Sequence, residues 1–158
     1  QKWYLNEDVQ FCSEIILENI LTIKVSHSRR FTNSLAYFEA LNKRFGINHK
    51  NPTTEKYFND LKYRFIEIMK IEENSFKVFV KKIIKTRDYY VHGNKKQIDI
   101  FSKFELLYIS FLIDFIVGIE LANQLGFSEG NINKINNRAK SVYVNMQNTN
   151  RILNESIL

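Results

Sequence analysis

Arg87, Asp88 and His92 are the residues of this chain whose types and spacing could do chemistry. A guanidinium is a permanent cation with donors matched to a phosphate. An imidazole exchanges a proton near neutral pH. Together they are a minimal kit for cutting a phosphodiester without a metal. Five residues separate Arg87 from His92, which is about 140° of rotation and about 7.5 Å of rise on an ideal helix. One helix therefore does not aim both groups at the same phosphate. Two copies related by a two-fold axis would, each giving an Arg and a His to a shared cleft. Asp88 and His92 are four residues apart and share a helix face, so the carboxylate can hold the imidazole in one tautomer.

Arg87 falls one turn after Ile83 on the apolar stripe of its helix. A guanidinium placed there must meet a carboxylate or an open cleft, because an unpaired charge in a packed interior is costly. Glu39 is the candidate partner. The alternative is an edge residue that snorkels outward, with His92 simply ending the helix. Spacing alone is weak, since Arg44 and His49 repeat it. Arg44 is followed by Phe45 and Gly46 rather than by an acid, which puts that copy in a loop without an orienter.

The chain carries a net charge of +6, and most of the excess surrounds the motif. Between positions 81 and 96, Lys81, Lys82, Lys85, Arg87, Lys95 and Lys96 stand against Asp88 alone. Such a patch attracts polyanions, RNA above all, through counterion release; the plainer reading is that lysines solvate a helix face. Other catalytic kits are missing from the sequence. It has no glycine-rich phosphate loop and no metal-ligand spacing among His27, His49 and His92, so no metal and no cofactor is expected. Cys12 sits on an apolar stripe and reads as inert core.

The elements that must position the motif read as helices. The first spans about Asn6 to Val25 with Leu5, Val9, Cys12, Ile16, Ile20 and Ile23 on one stripe. The second spans about Ser28 to Phe45, with Phe31, Leu35, Phe38, Leu41 and Phe45 on one stripe, and Gly46 stops it. Asn51 and Pro52 read as cap and first residue of a third, burying Phe58, Leu61, Phe65 and Ile68. Asn74 or Ser75 caps a fourth, which runs through Phe76, Val80 and Ile83 to the motif and a loop at Gly93 to Lys96. The fifth and most apolar spans about Asp99 to Leu125. After Gly126 the composition turns Asn-rich, yet Ile132, Ile135, Ala139, Val142 and Met146 keep a 3-4-3-4 stripe. The expected fold is all-α: an antiparallel bundle of about five main helices with an accessory C-terminal helical segment over 129–158.

At 158 residues the chain is most simply one domain. A single cysteine excludes an intrachain disulfide framework and suggests a reducing, cytoplasmic compartment. Acidic residues at Glu7, Asp8, Glu14 and Glu18 exclude a signal peptide at the start. The run from Leu106 to Ile119, broken by Asp114, is too short to span a bilayer, so no membrane partner is expected. The chain does not begin with Met, which reads as a piece of a longer protein.

The segment Thr86-Arg87-Asp88-Tyr89-Tyr90-Val91-His92 resembles the motif of the HEPN superfamily: Arg, a polar residue, then His after four to six residues. Ser34 to Phe45 resembles an early helix, and Leu121 to Ile132 a late helix-to-loop passage, of its ApeA-like group. The resemblance implies an all-helical homodimer with a composite, metal-independent endoribonuclease site. His92 would be the general base or acid, Arg87 the phosphate ligand and Asp88 the orienter. Tyr89, Tyr90 and Glu39 would be accessory, with one of the two tyrosines in the core. Lys81, Lys82, Lys85, Lys95 and Lys96 would bind RNA. It also implies a sensor domain N-terminal to this one in an anti-phage defence or toxin protein. Two alternatives stay open: a non-catalytic HEPN-type module that binds RNA or nucleotides or dimerises, and a structural helical partner domain.

Overall fold

The computed structural model describes residues 6–21, 24–93, 99–138 and 151. These form seven α-helices: α1 (Glu7–Leu21), α2 (His27–Phe45), α3 (Thr54–Asp60), α4 (Lys62–Met69), α5 (Glu73–His92), α6 (Lys103–Gln124) and α7 (Glu129–Arg138). No strand occurs among the described residues, so the all-α class expected from the sequence is the one adopted. Within α7 the side chain of Ile132 is buried. The side chains of Ile20 and Ile135 lie outside what is described, as do Leu5 and Ile23 of the first stripe and Ala139, Val142 and Met146 of the C-terminal one.

Local chemistry explains most boundaries. α2 starts where the Ser26 hydroxyl accepts the Arg29 N–H at 3.3 Å, a side-chain cap on an otherwise orphan donor. It ends at Gly46, whose φ of −82° is ordinary. Glycine is needed there because a Cβ would sit 2.6 Å from the Asn42 carbonyl oxygen. The expected start of the most apolar helix at Asp99 is corrected to Lys103. Ser102 and Glu105 form a reciprocal capping box, each side chain bonded to the other's backbone N–H, which satisfies two donors at once.

Other boundaries also move. Lys24 to Ser26 are not helical, so the first helix stops short of Val25. The third helix begins after Thr53, not Asn51, because the Thr53 hydroxyl accepts the Lys56 N–H at 3.3 Å. It is also two pieces, α3 and α4, divided at Leu61 (φ −102°, ψ 15°). α5 begins after Glu72 without a side-chain cap, ahead of the expected Asn74 or Ser75.

The core contains most of the stripes expected from periodicity, while Phe45, Leu61 and Ile68 are only half-buried against it. Val9, Cys12 and Ile16 of α1, Phe31, Leu35, Phe38 and Leu41 of α2, and Phe76, Val80 and Ile83 of α5 are all buried. Phenylalanines bind the helices carrying the motif to their neighbours. Phe38 meets Phe58 at 4.5 Å between ring centroids, Phe58 meets Phe65 at 5.0 Å, Phe65 meets Phe76 at 6.0 Å, and Phe79 meets Phe101 at 6.0 Å. Tilted and edge-on rings at such distances add specific geometry to the burial of large apolar area.

Helix directions follow from pairings along the axes. Asn19 reaches Ser34 while Asp8 pairs with Arg44, so α1 and α2 are antiparallel. Arg87 meets Glu39 while Tyr90 lies beside Ser28 to Asn33, so α5 is also antiparallel to α2. α2 and α6 share the largest helix–helix interface, and they run parallel. His27 contacts Lys103 near their starts, Arg30 one turn later contacts Asp114 in the middle of α6, and Leu41 to Gly46 lie beside Glu120 and Gln124 at their ends. α5 supplies the return stroke that lets α6 run beside α2 in the same direction.

Candidate functional site

The motif occupies the last two turns of α5. Thr86, immediately before Arg87, is fully buried. Its hydroxyl donates to the Lys82 carbonyl at 2.7 Å and accepts the Phe101 N–H at 3.1 Å. The segment entering α6 is thereby tied to the turn that carries Arg87.

Arg87 has a side chain 29% exposed, and its Nη2 lies 3.3 and 3.5 Å from the two carboxylate oxygens of Glu39 on α2. The Thr54 hydroxyl at the start of α3 donates to the same carboxylate. The guanidinium on the apolar stripe thus has the anionic partner that its position demands, and three helices fix that partner. Asp88 completes the surroundings, 3.8 Å from Nη1 of Arg87.

His92 is the last residue of α5 and is exposed. Gly93 follows at φ 63° and ψ 24°, the left-handed conformation that glycine adopts without a Cβ penalty and that commonly ends helices. The expected hydrogen bond in which His92 donates to Asp88 is absent among the described residues. Asp88 faces a guanidinium that is always charged, which attracts a carboxylate more strongly than the ring at the solvated helix end.

The basic surroundings are less free than the sequence suggested. Lys81 is exposed. The Lys82 ammonium lies 4.6 Å over the Phe101 ring. Lys85 is 3.0 Å from Asp99, an acid just beyond the counted stretch, so positions 81 to 99 carry a net +4 rather than +5. Lys95 and Lys96 lie outside the described residues. Tyr89 and Tyr90 pack edge to face at 4.8 Å and 79°. Tyr90 is the one against the core, and its burial pushes the phenol above its usual range.

The second Arg–His spacing is occupied otherwise. Arg44 pairs with Asp8 and stacks on Phe11, while His49, in the loop after Gly46, donates from Nε2 to Asp60 at 2.7 Å. The two residues serve separate contacts. Among the described residues no group of three or more His, Cys, Asp or Glu could hold a metal ion, and no helix is long and apolar enough to cross a membrane.

With this geometry in view, a family model described as Apea-like HEPN matches residues 11–131, about three quarters of the chain. The chain belongs to the Apea-like HEPN family. The match takes in Glu39, Thr86 and the whole Arg87–His92 segment, and it ends within α7. No curated protein and no solved structure matches this HEPN chain. Sequence reasoning missed the two threonines that hold the site. Thr54 had no signal beyond lying near a helix start. Thr86 had one, a hydroxyl on an apolar stripe three residues after Ile83, a position where a polar group must find a partner.

Proposed function

We propose that this HEPN domain is a metal-independent endoribonuclease whose site is completed by a second copy of the chain. The observation that carries the reading is the state of the motif in one chain. Arg87 is held in place by Glu39, while His92 stands exposed at the helix end with no described partner. An oriented cation and a separate solvent-facing proton carrier are two halves that one α5 does not bring together. Family membership supports it, since HEPN domains are often ribonucleases and commonly dimerise and bind RNA.

In this reaction His92 of one protomer takes the proton of the RNA 2′-OH, and the 2′-oxygen attacks the adjacent phosphorus. The P–O5′ bond breaks, and the leaving 5′-oxygen takes a proton from the protonated imidazole of the partner. The products are a 2′,3′-cyclic phosphate and a 5′-OH. Arg87 binds the phosphate and stabilises the charge that grows on its oxygens. Lys81 and Lys82 lie on the same helix as the motif and raise the local concentration of RNA. This activity suits anti-phage defence or toxin action under the control of a sensor domain N-terminal to it.

The test is RNA cleavage in EDTA by the wild type, Arg87→Ala and His92→Ala. Loss of a general acid–base or of a charge-stabilising group is expected to lower the rate about 10²-fold or more, with cyclic-phosphate ends on the wild-type products. Equal cleavage by all three proteins overturns the site assignment. Tight, Arg87-dependent RNA binding without cleavage selects the non-catalytic alternative.

A further inference from the structure

A groove separate from the Arg87–Glu39 pair opens between the first turns of α2 and the last turn of α5. It is an open groove of about 290 Å³, lined by Ser28, Arg29, Thr32 and Asn33 on one side and Tyr90 on the other. The hydroxyls of its wall are used locally: Ser28 bonds Ser26 at 3.1 Å, and Thr32 donates to the Arg29 carbonyl at 3.0 Å. The other three functional groups are different. The Arg29 guanidinium, the Asn33 carboxamide and the Tyr90 hydroxyl form no hydrogen bond or ion pair with a described residue. The contrast with Arg30 is direct, since that neighbour is committed to Asp114 at 3.3 Å and stacks on Phe111. Arg29 is exposed, and Asn33 and Tyr90 are half-buried, so all three present polar atoms to the groove that no described protein group occupies.

The three groups converge on one chemistry. A guanidinium matches a phosphate. A carboxamide offers a donor and an acceptor side by side, the pattern that reads a base edge. A phenol held against the core by its own ring offers a hydroxyl to a ribose or base. A groove of about 290 Å³ has room for a single nucleotide, and in RNA an unpaired strand is what exposes a base edge for reading. Tyr90 lies three residues after Arg87, about 4.5 Å further along the helix and about 60° around it. The groove is therefore adjacent to the phosphate-binding cation.

We propose that this groove is a nucleotide subsite for unpaired RNA: Arg29 binds the phosphate, Asn33 the base edge and Tyr90 the sugar or base of the nucleotide flanking the cleaved bond. The proposal rests on the ribonuclease reading above and adds to it the residues that hold the nucleotide beside the cleaved bond.

The experiment measures fluorescence anisotropy of a short unstructured RNA and of a hairpin duplex across a salt series. His92→Ala serves as the non-cleaving background. Adding Arg29→Ala is expected to weaken single-strand binding about tenfold and to reduce the slope of log affinity against log salt by about 0.7. Tyr90→Phe, which keeps the ring, is expected to cost about threefold, and Asn33→Ala to reduce the difference between base compositions. Arg29→Lys restores the salt slope. Duplex binding changes by less than about twofold throughout. If Arg29→Ala with Asn33→Ala leaves single-strand affinity and slope unchanged while Arg87→Ala still weakens binding, the subsite is refuted and the ribonuclease reading survives. If the wild type cleaves no RNA and the His92→Ala protein binds none, both fall together.

Discussion

Replacing Thr86 by Val tests whether its buried hydroxyl bridge holds the motif turn in place. Val keeps the shape of Thr but removes the oxygen that accepts the Phe101 N–H at 3.1 Å and donates to the Lys82 carbonyl at 2.7 Å. Phe101 is itself buried, so its N–H loses its partner away from water. An unsatisfied buried donor costs about 1–3 kcal/mol, which is about 2–4 °C in Tm per kcal/mol for a chain of this size. Thr86→Ser is the control. It keeps both hydrogen bonds and deletes one buried methyl, for a loss of about 1 kcal/mol. Urea unfolding followed by far-UV circular dichroism ranks the three proteins. The order expected is wild type, then Ser, then Val. A Val protein within about 0.5 kcal/mol of wild type would show that the hydroxyl contributes nothing at this position.

Two further outcomes follow from buried charges. Burial raises Asp114 above the usual carboxylate range, against the opposing pull of Ser34, Arg30 and Asn19. The folded state therefore holds this proton more tightly than the unfolded chain, so the contribution is fully present below the unfolded pKa and is lost as pH rises through the folded one. Denaturation midpoints measured across that window should show a decline that Asp114→Asn removes, and identical pH profiles for the two proteins would contradict it. For the Arg87–Glu39 pair, a double-mutant cycle with Arg87→Gln and Glu39→Gln should return a coupling of about 0.5–1.5 kcal/mol; zero coupling means the contact contributes nothing to stability.

The sequence made the core legible because packing repeats. Phe31, Leu35, Phe38 and Leu41 recur at helical spacing, and all four are buried. The Glu39 partner of Arg87 was legible for a related reason: a guanidinium on an apolar stripe has few affordable environments. The break at Leu61 was hidden because α4 resumes at once, with both Arg64 and Phe65 donating to the Leu61 carbonyl, so the apolar rhythm passes through it. The spacing of Asp88 and His92 misled because it registers a shared face but not the stronger cation beside Asp88. The ties of Lys85 to Asp99 and of Arg30 to Asp114 join separate elements, and no local spacing rule reports them. The parallel course of α2 and α6 is likewise a property of the whole path, visible once α5 is placed between them in chain order.

The burial of Cys12 has a practical consequence. It is the only thiol in the chain, is 3% exposed, and is shifted upward in pKa chiefly by burial. A buried, protonated thiol is a poor nucleophile, so the native protein is close to a blank for maleimide and spin-label chemistry. A cysteine introduced at exposed Lys81 would carry the label alone, on the same helix as His92. Distances between labels on two copies would then report whether two α5 helices approach each other in solution, without removing the native cysteine from the core.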